Sequence, residues 1–277
     1  MRVVIIGLDG LEASLINPDR YPNICQAEHG RINLDGFNQI QTPQIWTSFI
    51  TGVMPSEHGI DGFKHKTFLS KIEKKYGDYV KKFLSLFGLK AVNLVTDVKN
   101  TLYGYYDIHP YEPYTKEDIR VPTIFDKIPS SHVISLPVYN EPDVYMDIRR
   151  SVSRAVGNKE LSHDLSETCL DLLKRETGEF IKYLHKDINL IMVHLFVADV
   201  YGHLYGRNED KLQELYDLLE EFVGSVKNSA LTIILSDHGT KGGLHTPYGF
   251  YSLSRPLGLD DPHITEFHDV ILKEAVQ

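Results

Sequence analysis

Carboxylate and imidazole side chains follow three separate apolar segments of the chain. One Asp comes directly after the first segment, an Asp and a His four residues apart follow another, and an Asp-His pair with a further His follows a third. These residues are Asp9; Asp199 and His203; and Asp237, His238 and His245. Carboxylate oxygens and imidazole nitrogens are ligands of zinc and manganese. The pattern therefore indicates a site for divalent metal ions.

The segments that precede these side chains have the character of buried strands. Four short runs rich in Val and Ile occupy 3–8, 133–137, 190–197 and 231–235, and such runs are typical of parallel strands covered on both faces. Amphipathic helical patterns lie between them, at about 163–185 and from Glu209 to Val223. This alternation predicts an α/β fold, a doubly wound α/β/α sandwich.

In such a sheet the carboxyl ends of the parallel strands meet at one edge, where ligands collect. The predicted fold therefore brings the six side chains together. Any one of these short motifs occurs by chance and alone indicates an ordinary capping or loop residue. Several carboxylates at one site repel each other and raise each other's pKa values, so the whole set is hard to explain without a cation.

A hydroxyl group stands at the start of another predicted helix. Thr42 precedes Pro43, and because Pro is favoured in the first turn, Thr42 is predicted to be the N-cap of a helix that runs to Thr51. Backbone N–H groups and the helix dipole favour an anion at this position. Thr42 alone is explained by capping, but beside a metal ion its hydroxyl could act as a nucleophile.

Taken with these residues, the segment TGVMPSEHGI at 51–60 resembles a known family. The sequence is similar to the type I phosphodiesterase/nucleotide pyrophosphatase branch of the alkaline phosphatase superfamily, in which a nucleophilic Thr lies nine residues before the Thr of a TG-x-x-P-x-x-HG signature. Thr42 and Thr51 have this spacing. The resemblance implies two divalent metal ions, zinc in the first place and manganese as the alternative. It assigns Asp9, Thr42, Asp237 and His238 to one ion, and Asp199, His203 and His245 to the other.

The function implied by the resemblance is that of a metal-dependent phosphoric ester hydrolase. We expect a phosphodiesterase or nucleotide pyrophosphatase that acts on a small phosphate ester, with Thr42 attacking phosphorus in line and a phospho-threonine intermediate that water hydrolyses. The alternatives are a phosphomonoesterase or phosphotransferase on the same fold, and a metal-dependent binding protein without turnover. A sulfatase and a cofactor-independent phosphoglycerate mutase are disfavoured because their nucleophile motifs are missing.

One position departs from the family pattern. Members that hydrolyse nucleotides commonly have an Asn shortly after HGI, and Phe63 takes its place here. The adjacent Lys64 is a candidate substrate-binding residue, although a solvated lysine on the cap is the preferred interpretation. Two other residues near the motifs receive structural interpretations: His58 is expected to fix the HGI turn, and His194 to be a hydrogen-bonded histidine of the core.

The chain is expected to form one catalytic domain, 1–277, with an inserted cap at about 64–120. The cap interrupts the alternation of strands and helices with the basic amphipathic segment KIEKKYGDYVKKFLSLFGLK and a Tyr-rich stretch. Docking of this segment on the parent domain is preferred over membrane binding. The tyrosines could stack on a base or an aromatic leaving group, but packing between cap and core is the preferred interpretation.

Charge and composition limit the possible partners and location. The net charge of −9 disfavours nucleic-acid polymers, whereas a small anionic substrate remains compatible with bound metal ions. Cys25 and Cys169 are far apart and predict neither a disulfide nor a thiolate site. The first apolar run is too short for a membrane span or a signal peptide. We therefore expect a cytoplasmic protein without stable membrane association.

Overall fold

The apolar runs form the central strands of a six-stranded sheet in the computed structural model, which describes residues 2–65, 111–226 and 230–276. Its strand order is β2-β10-β7-β1-β6-β5; β5, β6, β1 and β7 are parallel, while β10 runs antiparallel to both of its neighbours. The strands are β1 (Val3–Leu8), β2 (Glu28–Asn33), β3 (Lys64–His65), β4 (Tyr111–Glu112), β5 (Ser131–Ile134), β6 (Leu190–Leu195), β7 (Leu231–Ser236), β8 (Thr240–Lys241), β9 (Leu244–His245) and β10 (Tyr248–Leu253).

Helices cover both faces of this sheet. On one face Trp46 and Phe49 of α1 and Phe267 of α8 pack against Ile5 and its neighbours. The other face carries the apolar stripes of the long helices α5 and α7. The helices are α1 (Thr42–Thr51), α2 (Pro55–His58), α3 (Ile124–Lys127), α4 (Asp143–Ala155), α5 (Lys159–Leu184), α6 (Val197–Tyr205), α7 (Glu209–Ser225) and α8 (Glu266–Val276). The predicted doubly wound sandwich is confirmed.

The register of the three innermost strands aligns their carboxyl ends. Leu8 of β1 is the partner of Leu195 of β6, and Gly7 pairs with Leu235 of β7. Every residue of these three strands is buried, which explains their continuous apolar sequences. The segments that follow β1, β6 and β7 therefore start at the same edge of the sheet.

Several predicted boundaries are wrong by a few residues. The strand predicted at 190–197 ends at Leu195 because Val197 is already the first residue of α6. The run at 133–137 is strand only over Ser131–Ile134, and the next residue, Ser135, has a positive φ of 59° that ends it. The helix predicted at 163–185 starts earlier, at Lys159, because the side chain of Asn158 caps it.

Among the described elements of six or more residues, β2, β10, α4, α6 and α8 have no counterpart in the sequence-based prediction. The strands β2 and β10 extend the parallel sheet on one side, and β2 is an edge strand with alternating exposure. Polar or glycine residues interrupt both strands, so neither forms a continuous apolar run.

The chain divides into two compact units, one comprising Met1–Asp61 with Thr115–Gln277 and the other Gly62–Tyr114. In the smaller unit β3 pairs with β4 in antiparallel fashion. The amphipathic segment at 71–90 and most of the tyrosines noted above lie outside the described residues, and the cap at about 64–120 stays a prediction. Within the described ranges, no helix combines the length and apolar composition that crossing a membrane requires. The cytoplasmic location also stays a prediction.

Candidate metal centre

The seven side chains assigned to the two metal ions lie together at the carboxyl edge of the sheet. We call Asp9, Thr42, Asp237 and His238 the inner half of the centre, and Asp199, His203 and His245 the outer half. The backbone at Gly10 lets the two halves approach each other. Its φ is +76°, and a Cβ atom there would lie 2.5 Å from the Cα of Asp199. Only glycine fits both this conformation and this contact.

The inner half surrounds the hydroxyl of Thr42. The Oγ1 atom lies 3.4 Å from Asp9 Oδ1 and 3.3 Å from His238 Nε2. His238 Nε2 is also 3.6 Å from Asp9 Oδ1 and 3.4 Å from Asp237 Oδ2. Asp9, Asp237 and His238 are buried, and Thr42 is nearly so. One imidazole nitrogen, one hydroxyl and two carboxylates thus converge in a space closed to solvent.

The carboxylate of Asp237 is the clearest sign that a cation belongs here. The side chain is 0% exposed, yet neither of its oxygens has a hydrogen-bond partner among the described residues. Burial, together with the charges of Asp9 and Asp199, raises the pKa of Asp237 well above its ordinary value. A buried carboxylate without a partner strongly destabilises a fold unless a cation compensates it.

The outer half is built from α6 and the hairpin of β8 and β9. Asp199 and His203 lie four residues apart on α6 and therefore share one face of the helix. Asp199 Oδ1 is 3.3 Å from His203 Nε2 and 3.4 Å from His245 Nε2 of β9, and the two Nε2 atoms are 3.1 Å apart. Thr240 of β8 donates a hydrogen bond of 3.2 Å to Asp199 Oδ1.

All three histidines of the centre turn their Nε2 atoms inward. The Nδ1 atoms of His203, His238 and His245 face the backbone carbonyls of Gly243, Gly239 and Ile40 at 3.0, 3.3 and 3.0 Å. A ring that donates from Nδ1 to a carbonyl keeps the lone pair of Nε2 free for another partner. This is the arrangement that histidine ligands of metal ions usually adopt.

The electrostatics of the outer half also favour a cation. Burial opposes the ionised form of Asp199, but His203 and His245 lower the pKa of Asp199 well below its ordinary value. Burial likewise opposes a charged imidazole, yet Asp199 raises the pKa of His203 to about 9, and that of His245 is raised as well. Positive charge is thus stabilised between these three side chains.

The donor sets fit two divalent metal ions. Ligand atoms of Asp9, Asp237 and His238 lie within 4.8 Å of one another, as do those of Asp199, His238 and His245. His238 belongs to both groups, and its ring stacks on that of His245 at 3.8 Å. Mixed oxygen and nitrogen donors without cysteine suit zinc or manganese. The division of ligands between the ions follows the family resemblance and stays a prediction.

Thr42 occupies a different helix position from the predicted one. Gln41 is the N-cap of α1, with extended backbone angles, and Thr42 is the first helical residue, followed by Pro43. The predicted N-cap role of Thr42 is therefore wrong by one residue. The reason is visible in its contacts: the hydroxyl points to Asp9 and His238, so it is not used to cap the helix.

His58 fixes the turn of the HGI motif, as predicted. Its Nδ1 accepts a hydrogen bond from the backbone N–H of Ile60, so its Nε2 carries the hydrogen and donates to Ser48 Oγ of α1 at 2.9 Å. Burial lowers the pKa of His58 to about 4, which keeps the ring neutral. The motif thus anchors the helix that begins with Thr42.

The sequence-based prediction missed a partly buried arginine near the centre. The guanidinium of Arg149, on α4, pairs with Glu141 at 2.5 Å and lies over the ring of Phe196, 5.3 Å from its centroid. Phe196 directly follows β6 at the edge where the ligands collect. Burial opposes the charge of Arg149, but Glu141, Asp9 and Asp199 raise the pKa of its guanidinium. No sequence pattern pointed to Arg149, because helix α4, on which it lies, was not predicted.

The proposed substrate contact Lys64 belongs to the smaller unit. It is part of β3, and its Nζ lies 5.3 Å from the centroid of the Tyr114 ring in the same unit. Its role as a substrate-binding residue stays a prediction.

Sequence comparison identifies the family. The family described as type I phosphodiesterase / nucleotide pyrophosphatase matches residues 3–248, a range that contains all seven side chains of the centre. The chain belongs to this family. It is accordingly a metal-dependent phosphoesterase, a hydrolase of phosphoric esters.

Comparison with solved structures finds distant relatives. The alkaline phosphatase from the Antarctic bacterium TAB5 is 12% identical, covers 99% of this chain and 98% of its own, and has a TM-score of 0.49. Murine ectonucleotide pyrophosphatase/phosphodiesterase 5, an inactive variant in complex with AMP, is 14% identical and covers 86% of this chain, with a TM-score of 0.48. The match spans 57% of the murine chain. Among curated proteins, none matches this sequence.

Proposed function

We propose that the protein hydrolyses a small phosphodiester or nucleotide pyrophosphate bond with Thr42 as nucleophile and two divalent metal ions, zinc or manganese, as cofactors. The observation that carries this proposal is the position of the Thr42 hydroxyl. It lies within 3.4 Å of a carboxylate and of an imidazole that has a free lone pair, both buried, at the start of a helix. A hydroxyl with only a structural role would not require a buried carboxylate and a buried imidazole beside it.

The reaction would be an in-line displacement at phosphorus. The metal ions supply positive charge that favours the ionised hydroxyl and offsets the charge growing on the phosphoryl and leaving oxygens. Thr42 loses its proton, its Oγ1 forms a bond to phosphorus, and the bond to the leaving oxygen breaks. The departing oxygen takes up a proton, and the covalent intermediate keeps the second ester group of the substrate. Water then attacks the phosphorus of this phospho-threonine, which releases a phosphate monoester, and Thr42 regains its proton.

The other residues of the centre would orient these groups. Asp9 and His238 hold the Thr42 side chain in one rotamer, so that its oxygen faces the substrate. The exposed side of the outer half, where His203 and His245 are partly accessible, provides the space for the leaving group and for the incoming water. The N-terminus of α1 favours the negative charge of the phosphoryl group.

A direct test is to replace the nucleophile. We expect Thr42→Ala to lower turnover of bis-p-nitrophenyl phosphate by about a thousandfold or more, since the attacking atom is lost. Because Thr42 does not cap α1, the variant should fold with little loss of stability. Thr42→Ser keeps the hydroxyl and should retain much more activity.

Thr47 provides the matched control within the same helix. It is fully buried, and its hydroxyl donates to the carbonyl of Pro43 at 2.7 Å, away from the ligands. Thr47→Ala should therefore reduce turnover far less than Thr42→Ala. If Thr42→Ala, with its metal content verified, hydrolysed the diester at the wild-type rate, the phospho-threonine route would be excluded.

A second candidate activity, phosphomonoester hydrolysis, is favoured by Arg149. A monoester carries about two negative charges at neutral pH and a diester one, so an additional guanidinium beside the centre favours the monoester. The double variant Arg149→Gln/Glu141→Gln removes the cation without leaving its partner charged. A fall of about tenfold in the ratio of p-nitrophenyl phosphate to diester turnover would support this activity. An unchanged ratio would count against it.

A further inference from the structure

His194 is a buried histidine that the proposed mechanism does not use. It lies near the carboxyl end of β6, is 0% exposed, and none of the described residues forms a hydrogen bond with either of its ring nitrogens. The predicted core position of His194 is confirmed by its burial, and Asp9 Oδ2 lies 3.3 Å from its Nε2. Because an imidazole buried without partners destabilises a fold, its presence in an apolar strand requires an explanation.

The sheet places this imidazole next to Asp9, on the side away from Thr42. His194 is the register partner of Gly7, and Asp9 follows two residues later, on the same face of the sheet. Gly7 has no side chain, and Trp46 of α1 fills its place: a Cβ atom there would lie 2.8 Å from the indole. The indole meets the His194 ring edge to face at 5.1 Å. The imidazole is thereby confined between Trp46 and the carboxylate.

The two oxygens of Asp9 face opposite partners. Oδ1 lies 3.4 Å from the hydroxyl of Thr42 and 3.6 Å from His238 Nε2, while Oδ2 lies 3.3 Å from His194 Nε2. The last distance is slightly longer than an ordinary N–H···O bond. One side of Asp9 is thus directed to the inner half, and the other side is opposite the imidazole.

We propose that His194 is a positioning residue that holds the carboxylate of Asp9 in the orientation in which Oδ1 faces the inner half. This inference rests on the proposed role of Asp9 as a metal ligand. His194 donates from Nε2 to Oδ2, which restricts rotation of the carboxylate and leaves Oδ1 for the cation. Replacing a residue that hydrogen-bonds a metal ligand from the side opposite the metal ion typically lowers metal affinity by about 10–100-fold.

The test is zinc affinity, measured on the metal-free protein by competition with a chromophoric chelator. His194→Phe keeps an aromatic ring against Trp46 but has no donor, and His194→Leu is a second apolar variant for the case that the first folds poorly. His194→Gln retains an N–H donor. We expect the apolar variants to lose roughly 10–100-fold in affinity for one of two zinc ions, and His194→Gln to stay within about tenfold of the wild type.

Met192 supplies the control for strand packing. It is fully buried on β6, two residues before His194 and on the same face, and its register partner is Ile5, four residues before Asp9. Met192→Leu should bind zinc as the wild type does. Excess zinc should restore diester turnover to His194→Phe but not to Thr42→Ala.

The outcomes separate this inference from the proposed function. If the wild type bound no zinc, or if Asp9→Asn bound it as tightly as the wild type, the metal centre itself would be refuted. If the wild type bound two zinc ions and the folded His194→Phe and His194→Leu variants bound them like Met192→Leu, the positioning role would be refuted while the metal centre stood. Equal loss in His194→Gln and His194→Phe would also exclude donation to Asp9.

Discussion

The two halves of the metal centre differ in how they balance their charge. In the inner half, the oxygens of Asp237 have no hydrogen-bond partner among the described residues, and burial and neighbouring carboxylates raise the pKa of Asp237. Burial, together with His245, lowers the pKa of His238. In the outer half, Asp199 and two histidines stabilise each other's charges. Exposure differs in the same way: the side chain of His238 is 0% exposed and that of His203 25%.

This difference indicates that protons can replace a metal ion in one half only. The outer half can hold a proton on His203 or His245 and remain a neutralised cluster. The inner half has a surplus of carboxylate and a histidine that resists protonation, so a metal ion is the natural source of its positive charge. We therefore expect metal removal to affect the two halves differently.

The largest effect is expected from Asp237→Asn. The substitution removes a ligand carboxylate that has no hydrogen-bond partner among the described residues, so one of the two metal ions should be lost and diester turnover should fall by about a thousandfold or more. In the metal-free state the same variant should be more stable than the wild type by about 1–3 kcal/mol at pH 8, because it no longer buries an unpaired carboxylate. Elemental analysis, kinetics and chemical denaturation measure the three quantities.

Asp199→Asn in the outer half is the matched comparison. It also removes a ligand carboxylate and should lower turnover, but its carboxylate is neutralised by histidines in the metal-free protein. Metal-free Asp199→Asn should therefore be less stable than the metal-free wild type. If both Asn variants changed the metal-free stability in the same direction, the proposed difference between the halves would be wrong.

The stability of the metal-free protein should depend on pH through the proton that His203 of the outer half holds. The pKa of His203 is about 9 in the folded state and about 6.5 in the unfolded state, so the folded protein holds the extra proton between these values. Its stabilising contribution is complete below pH 6.5 and is lost as the pH rises through 9. We expect a loss of up to about 3 kcal/mol across this window, which urea denaturation from pH 6 to 10 can measure.

His203→Asn is the control for this measurement. It removes the titrating group, so its metal-free stability should vary much less between pH 6 and 10. If the stability of the wild type varied with pH in the same way as that of His203→Asn, the assignment of the extra proton to His203 would be wrong.

The smallest effect is expected from Thr240→Val. The substitution conserves shape but removes the hydroxyl that donates to Asp199 Oδ1, leaving the ligand in place with one restraint fewer. Zinc affinity of one site should fall by about tenfold or less, and activity at saturating zinc should be nearly unchanged. Isothermal titration with zinc would measure this, and no change in affinity would show that Asp199 needs no support from β8.

The sequence predicted the three strands that lead into the centre, and helix α1, because their patterns are local. It did not predict α6 or the hairpin of β8 and β9, which carry the outer half. The continuous apolar runs of β1, β6 and β7 are a direct consequence of burial on both faces, and the ligands follow where these strands end. The strands β2 and β10 and the helix α4 were missed because their residues become buried only through contacts with distant parts of the chain. In β10, for example, Gly249 interrupts the run, yet it is buried against the backbone of Ser236.

Two residues show the limit of such prediction most clearly. Arg149 belongs to a helix with low overall hydrophobicity and has no motif, so only the folded structure brings its charge close to Asp9 and Asp199. For His194, burial could be inferred from the apolar run around it. The contact with Asp9 could not, because it depends on the register between β1 and β6.

Local opening of the hairpin of β8 and β9 should determine how long a metal ion stays bound in the outer half. Its two-residue loop, Gly242 and Gly243, has φ angles of +61° and +84°, which suit a tight hairpin turn. His245 lies on it, and it supplies the hydrogen-bond partners of Asp199 and His203. Each transient opening of this short hairpin would withdraw one ligand and loosen two others. A metal ion in the outer half should therefore exchange with solution much faster than one held at the ends of β1 and β7.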